Sequence, residues 1–224
     1  MHEFVKDAGG LAQAAMEKIN PKLVEPYRLV IEFLSDNPEM ASSGKSKSSG
    51  IIGTKEYIDS QAEHFSKSRN PKRPEPPKTI PDEMVSLILN AYFGLAEINL
   101  KNAKKWHGLS MAAENIIGDV LERYIASVLE MEGWAWCSGS LVKSVDFIYR
   151  DPKRNWIPLQ VKNRDNSENS SSAAIRTGTK IQKWHRSFSK KAGDNWNNFP
   201  VPDQLSEKSF REFVEGYIQE LKRQ

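Results

Sequence analysis

The sequence predicts an α/β chain of the α+β kind, with a central mixed sheet flanked by helices and a helical N-terminal region ahead of it. Three observations predict this. Apolar residues recur at helical period in the first third of the chain and again between Ser110 and Gly133. Three short runs rich in aromatic and β-branched residues follow, "WAWCSG", "SVDFIYR" and "WIPLQVKN". The chain closes on one more amphipathic stretch, "SEKSFREFVEGYIQELKRQ".

Each element has a local reason. In "NPKLVEPYRLVIEFLSDNP", Leu23, Tyr27, Val30, Ile31 and Leu34 fall near helical spacing, Asn20 suits the cap and Pro21 the first turn. "MASSGKSKSSGIIG" reads as a loop, and "TKEYIDSQAEHFSKS" as a helix capped by Thr54. "RNPKRPEPPKTIPDE" is proline-rich, which removes backbone donors and favours extended chain. "DEMVSLILNAYFGLAEINL" is apolar enough to predict a buried helix. The next helix is expected to begin at a Ser110 cap and to end at Gly133. Residues 1–105 thus read as a helical region with two linkers, and 106–224 as the core domain.

Composition narrows the function classes. Of 224 residues, 38% are hydrophobic and 27% charged, which suits a soluble chain with a core, and no apolar run reaches bilayer length. "MHEFVKDAGG" does not read as a secretory signal. A single cysteine, Cys137, excludes an internal disulfide and a multi-cysteine zinc site, and makes the cytoplasm the expected compartment. The net charge of +3 permits nucleic-acid binding without requiring it. Positive charge gathers between Lys143 and Lys191 and is interleaved with Trp184, His185 and Phe188. Such a segment could follow a phosphate backbone, but taken alone it reads more readily as an ordinary solvated face.

A set of polar residues sits amid apolar runs. Glu114, Gly118 and Glu122 lie four apart on one helical stripe. Asp146 interrupts the second strand. In the third, Gln160 and Lys162 are two apart and share a sheet face, while Val161 points the other way. Taken singly, these are common surface decorations. Together they supply what phosphodiester hydrolysis needs. Mg²⁺ takes hard oxygen ligands, here the Asp146 carboxylate, the Gln160 amide oxygen, the Val161 carbonyl and Glu122, with Glu114 the alternative on the same stripe. Lys162 is placed to orient a water and to offset developing phosphate charge.

The order of these parts resembles the PD-(D/E)XK nucleases, with "GDVLE", "VD" and "QVK" in the three motif places. Val145 stands where that superfamily often has proline. Gln160 stands where it usually has an acid, although some of its restriction enzymes use Gln-x-Lys. The stretch "LQVKNRDNSENSSSAAIRTGTKIQKWHRSF" is similar to the SinI-type restriction endonucleases, within a likeness spanning roughly Ser110 to Phe199. That resemblance implies a restriction-endonuclease-like fold and a type II enzyme. Its implied substrate is double-stranded DNA, cut at a short palindrome of the GGWCC kind.

The segment after Lys162 is dense in short hydrogen-bonding side chains. Arg164, Asn166, Asn169, Arg176 and Lys180 are candidate base or phosphate contacts, with Arg176 the first choice for guanine. Ser170, Ser171, Ser172 and Thr177 suit phosphates, as do Lys183, His185 and Arg186. A palindrome is most simply read by a homodimer, and residues 1–105 could supply its interface or clamp the DNA. Three alternatives stand beside this reading: a structure-selective nuclease, a non-catalytic DNA-binding module on a degenerate nuclease fold, and a helical interaction protein working through its proline-rich arm.

Overall fold

The computed structural model describes residues 3–43, 50–80, 82–165, 180–201 and 204–223. The chain forms two compact units, one of residues 1–70 with 121–224, the other of residues 71–120.

In the first unit, α1 (Ala8–Ile19) is followed by a 3-10 turn and α2 (Val24–Asp36), then α3 (Lys55–Ser68). Thr54 caps α3 as predicted, while Asn20 caps the 3-10 turn (Pro21–Leu23) that leads into α2 rather than α2 itself. The Asn20 side chain accepts from the N–H of Lys22 at 3.2 Å, and the Thr54 Oγ1 accepts from the N–H of Tyr57 at 3.3 Å. Among the described residues, four strands form one mixed sheet in the order β1 (Ala135–Trp136), β2 (Phe147–Arg150), β3 (Trp156–Arg164) and β4 (Gln182–Ser187). The β1–β2 and β2–β3 pairs are antiparallel, and β3–β4 is parallel. This is the expected α+β class with a mixed sheet flanked by helices. The fourth strand falls in the segment read from sequence as a basic DNA-contact stretch.

Two apolar clusters hold the sheet. Met16, Tyr27, Ile31, Leu34, Tyr57 and Phe65 from the first three helices share a core with Ala135, Cys137, Leu141 and Ile148. On β4, Trp184 meets Trp196 and Phe199 at ring distances of 4.7 and 4.8 Å. Tyr124 extends that aromatic group to Trp196 and to Phe210 of α6 (Glu207–Arg223). Burying each such side chain is worth about 1.5–3 kcal/mol, so the N-terminal helices are structural walls of the sheet.

The second unit contains α4 (Glu83–Ala91) and the start of α5 (Glu97–Leu129). The expected single buried helix is broken between them, where Gly94 adopts φ +68°, a left-handed conformation that glycine enters without strain. No residue of α4 is buried. Ser110 lies inside α5 rather than at its start, whereas Gly133, at φ +84°, ends the turn that follows α5. The expected boundary between residues 105 and 106 falls within α5. Among the described residues no helix is long and apolar enough to cross a membrane.

Candidate active site

Asp146 is held from both sides. The N–H of Cys137, just after β1, donates to its carbonyl at 2.8 Å, and its own N–H donates to the carbonyl of Leu159 at 2.9 Å. Its Oδ2 accepts from the N–H of Val161 at 2.7 Å. The residue between those two β3 anchors is Gln160, so Asp146 brackets it. Burial raises the Asp146 pKa, and the Val161 N–H and the Lys162 ammonium oppose the rise without cancelling it.

Gln160 is only 2% exposed, and its buried Oε1 has no hydrogen-bond partner among the described residues. An orphaned buried acceptor is costly, on the order of 1–3 kcal/mol, and marks a place where a partner is missing. Alternation along β3 puts Lys162 on the Gln160 side and the buried Val161 on the other. The parallel register sets Gln160 beside Lys183, Val161 beside Trp184 and Lys162 beside His185. Lys183 and His185 therefore share the Lys162 face, and the buried His185 Nε2 has no hydrogen-bond partner among the described residues.

Glu122 approaches from α5. Its Oε2 accepts from the indole Nε1–H of Trp136 at 2.9 Å. The Trp136 ring is flanked by the guanidinium groups of Arg69 at 5.1 Å and Arg123 at 5.3 Å. Arg69 is fixed in turn by a two-pronged pair with Glu130 at 2.7 and 2.8 Å. Glu122 and Asp146 converge electrostatically on the buried Cys137. Its thiol is pushed well above the usual range by burial, then by Asp146, with Arg69 opposing and Glu122 and Glu130 adding to the rise.

Asp146, Gln160 and Lys162 are thus brought together, while Glu122 is held by Trp136, which the register through Phe147 and Leu159 places on the Val161 face of the sheet. Glu114 lies in the unit of residues 71–120. Among the DNA-contact candidates, Arg164 and Lys180 are exposed, while Lys183 and His185 are half-buried. Arg186 sits elsewhere. It follows His185 on the opposite sheet face, where its guanidinium donates to both carboxylate oxygens of Glu207 at 2.7 and 2.8 Å and to Asn163. Its basic charge fastens α6 to the sheet, a role invisible without the position of Glu207. Asn166, Asn169, Ser170, Ser171, Ser172, Arg176 and Thr177 lie outside the described residues. Asp165, just before them, has its Oδ1 occupied by the N–H of Ser189 at 2.8 Å. Sequence reasoning missed Trp136, whose "WAW" context signals only an apolar strand.

The residues that the sequence puts forward as metal ligands offer hard oxygens: the Asp146 and Glu122 carboxylates, the Gln160 amide oxygen and the Val161 carbonyl. Among the described residues no three His, Cys, Asp or Glu side chains gather at metal-binding range. An amide and a backbone carbonyl fall outside that count, and both suit Mg²⁺ rather than a softer ion.

Residues 8–220 match the family model for the SinI restriction endonuclease. The chain belongs to the SinI restriction endonuclease family. It is 51% identical over 224 residues to the type II restriction enzyme SinI of Salmonella infantis, across 98% of this chain and 97% of that protein. It is 50% identical over 220 residues to the type II restriction enzyme Eco47I of Escherichia coli, across 96% of each. Family membership makes the chain a type II restriction endonuclease, and the geometry around Asp146 is its candidate catalytic centre.

Proposed function

We propose that this restriction endonuclease uses Mg²⁺ to cut both strands of a short palindrome in double-stranded DNA, of the GGWCC kind that its family resemblance implies. It would act in the cytoplasm as a homodimer with one catalytic centre per strand. The observation that carries the catalytic reading is the pairing of a bracketed Asp146 carboxylate with the unpartnered Oε1 of Gln160, beside Lys162.

Asp146, Gln160 Oε1 and the Val161 carbonyl would hold the ion, with Glu122 adding a second carboxylate directly or through water. Bound there, Mg²⁺ supplies Lewis-acid stabilisation of phosphate charge and makes water a stronger nucleophile. The protein's own groups do the rest. Lys162 holds the attacking water in line with the scissile phosphate and stabilises charge on its non-bridging oxygens. The Val161 N–H fixes the Asp146 rotamer, and Trp136 fixes that of Glu122, so neither carboxylate must reorganise when DNA arrives. Lys183 and His185, on the Lys162 face, would contact the backbone beside the cut. Arg164, Lys180 and the Asn and Arg side chains of residues 166–179 would contact phosphates and read bases from the chain leaving β3.

Plasmid digestion in Mg²⁺ tests the catalytic assignment. Wild type should give discrete fragments, and Asp146→Ala and Lys162→Ala should give none while still shifting DNA in a gel. Fragments at wild-type rate from either variant would remove these residues from the mechanism. A gel shift with no cleavage by wild type in Mg²⁺ or Mn²⁺ would favour a binding module, and cleavage dependent on DNA shape alone a structure-selective nuclease.

A further inference from the structure

The unit of residues 71–120 exposes an unusual amount of apolar surface. Among the described residues, ten of the fourteen large hydrophobic side chains that are exposed lie between Ile80 and Leu109. Tyr92 is 82% exposed, Phe93 64%, Ile98 72% and Trp106 69%, and no residue of α4 is fully buried. Single exposed apolar residues scattered over a surface are ordinary, but a concentration within thirty consecutive residues is not. A helix as apolar as α4 is normally covered.

From this we infer that residues 80–109 are the surface through which two copies of this chain associate, the aromatic and aliphatic side chains of α4 and the first half of α5 packing on their symmetry mates. This rests on the homodimer reading above and assigns its interface. Area is the first argument. At roughly 100 Å² of apolar surface each, ten such side chains offer on the order of 1,000 Å², against the ~800 Å² per partner of a stable interface. Charge is the second. Asp82 and Glu83 stand at the start of α4, and Lys101, Lys104 and Lys105 lie on α5 between Ile98 and Trp106. In an isologous contact the acidic start of one copy can lie against the lysines of the other, and the reciprocal pair forms by symmetry. A partner with a single charge sign would satisfy only one of these two ends.

The consequence reaches the catalytic centre, because α5 runs without interruption from Glu97 to Leu129 and carries Glu122. Association would hold two Glu122-bearing helices in one assembly.

Sedimentation equilibrium on the full-length protein, wild type against Leu87→Glu/Tyr92→Ser and separately Trp106→Glu, tests this. Because these side chains are exposed, the variants should keep the wild-type circular dichroism and melting profile. Wild type should sediment as a dimer, with both variants at least tenfold weaker in self-association and shifted from linear towards nicked plasmid products. A wild-type monomer, free and on DNA, would overturn the homodimer reading itself. A wild-type dimer whose variants stay folded and equally dimeric would overturn only this interface. Variants that unfold would show that the surface is covered by the chain's own residues, which also refutes the assignment.

Discussion

Replacing Gln160 by methionine separates a structural role from a metal-binding one. Methionine has nearly the same length and shape but no amide, so the orphaned Oε1 disappears without opening a cavity. In metal-free protein the buried acceptor costs ~1–3 kcal/mol, which the variant should recover. For a chain of this size, 1 kcal/mol moves the melting temperature by about 2–4 °C, so a rise of roughly 2–12 °C is expected in EDTA. Mg²⁺ should reverse the order of benefit. At ten times its Kd, an ion that binds only the folded state adds ~1.4 kcal/mol, and a tenfold weaker site adds only ~0.4 kcal/mol at the same concentration. Scanning calorimetry in EDTA and in Mg²⁺ reads both effects on one sample, and cleavage should fall with the metal affinity. If Gln160→Met melts below wild type in EDTA, or gains as much from Mg²⁺ as wild type does, Gln160 is not a ligand and the reasoning from its lone oxygen fails.

Asp146→Asn should stabilise metal-free protein at neutral pH while reducing cleavage by more than ~100-fold, since even residues that merely support metal ligands cost 10–100-fold. A carboxyl whose pKa is raised on folding stabilises the fold below its unfolded pKa, and that contribution is lost as pH rises through the raised value. The Asn advantage should therefore be present at pH 7 and vanish in denaturant titrations carried into the ordinary carboxylate range near pH 4. Trp136→Phe keeps the ring between Arg69 and Arg123 but removes the N–H that holds Glu122, so half-maximal cleavage should need roughly tenfold more Mg²⁺ with DNA affinity unchanged. Mg²⁺ titration of initial rates measures it. Arg186→Ala should destabilise the fold by about 2 kcal/mol in urea, the worth of its charged hydrogen bonds to Glu207. Lys183→Ala should instead leave stability alone and reduce the salt slope of DNA binding by about one, measured by titration at several ionic strengths.

The parts of the site that were legible in the sequence are those governed by local rules. Gln160 and Lys162 share a face because strands alternate, and Asp146 meets β3 because a short hairpin joins β2 to β3. The Asn20 and Thr54 caps follow from the same kind of local chemistry. What escaped depended on distant partners. Strand β4 pairs with β3 in parallel across a long connection, and its single buried residue, Trp184, sits among charged neighbours that mimic a solvated basic face. Arg186 reads as a phosphate contact, and its pairing with Glu207 is visible only in the fold. The apolar run of α4 predicts burial correctly as a tendency, but a sequence does not say whether the cover comes from the same chain. Trp136 looks like core until its N–H is found on Glu122.

Cys137 gives this enzyme a built-in gauge. It is the chain's one sulfhydryl, 4% exposed, and its neighbours disfavour the thiolate that alkylating reagents require. Iodoacetamide should leave the native protein unmodified and capture it only during excursions that open the strand pairing beside Asp146. The capture rate would then track how often the candidate catalytic centre comes apart, without an added probe.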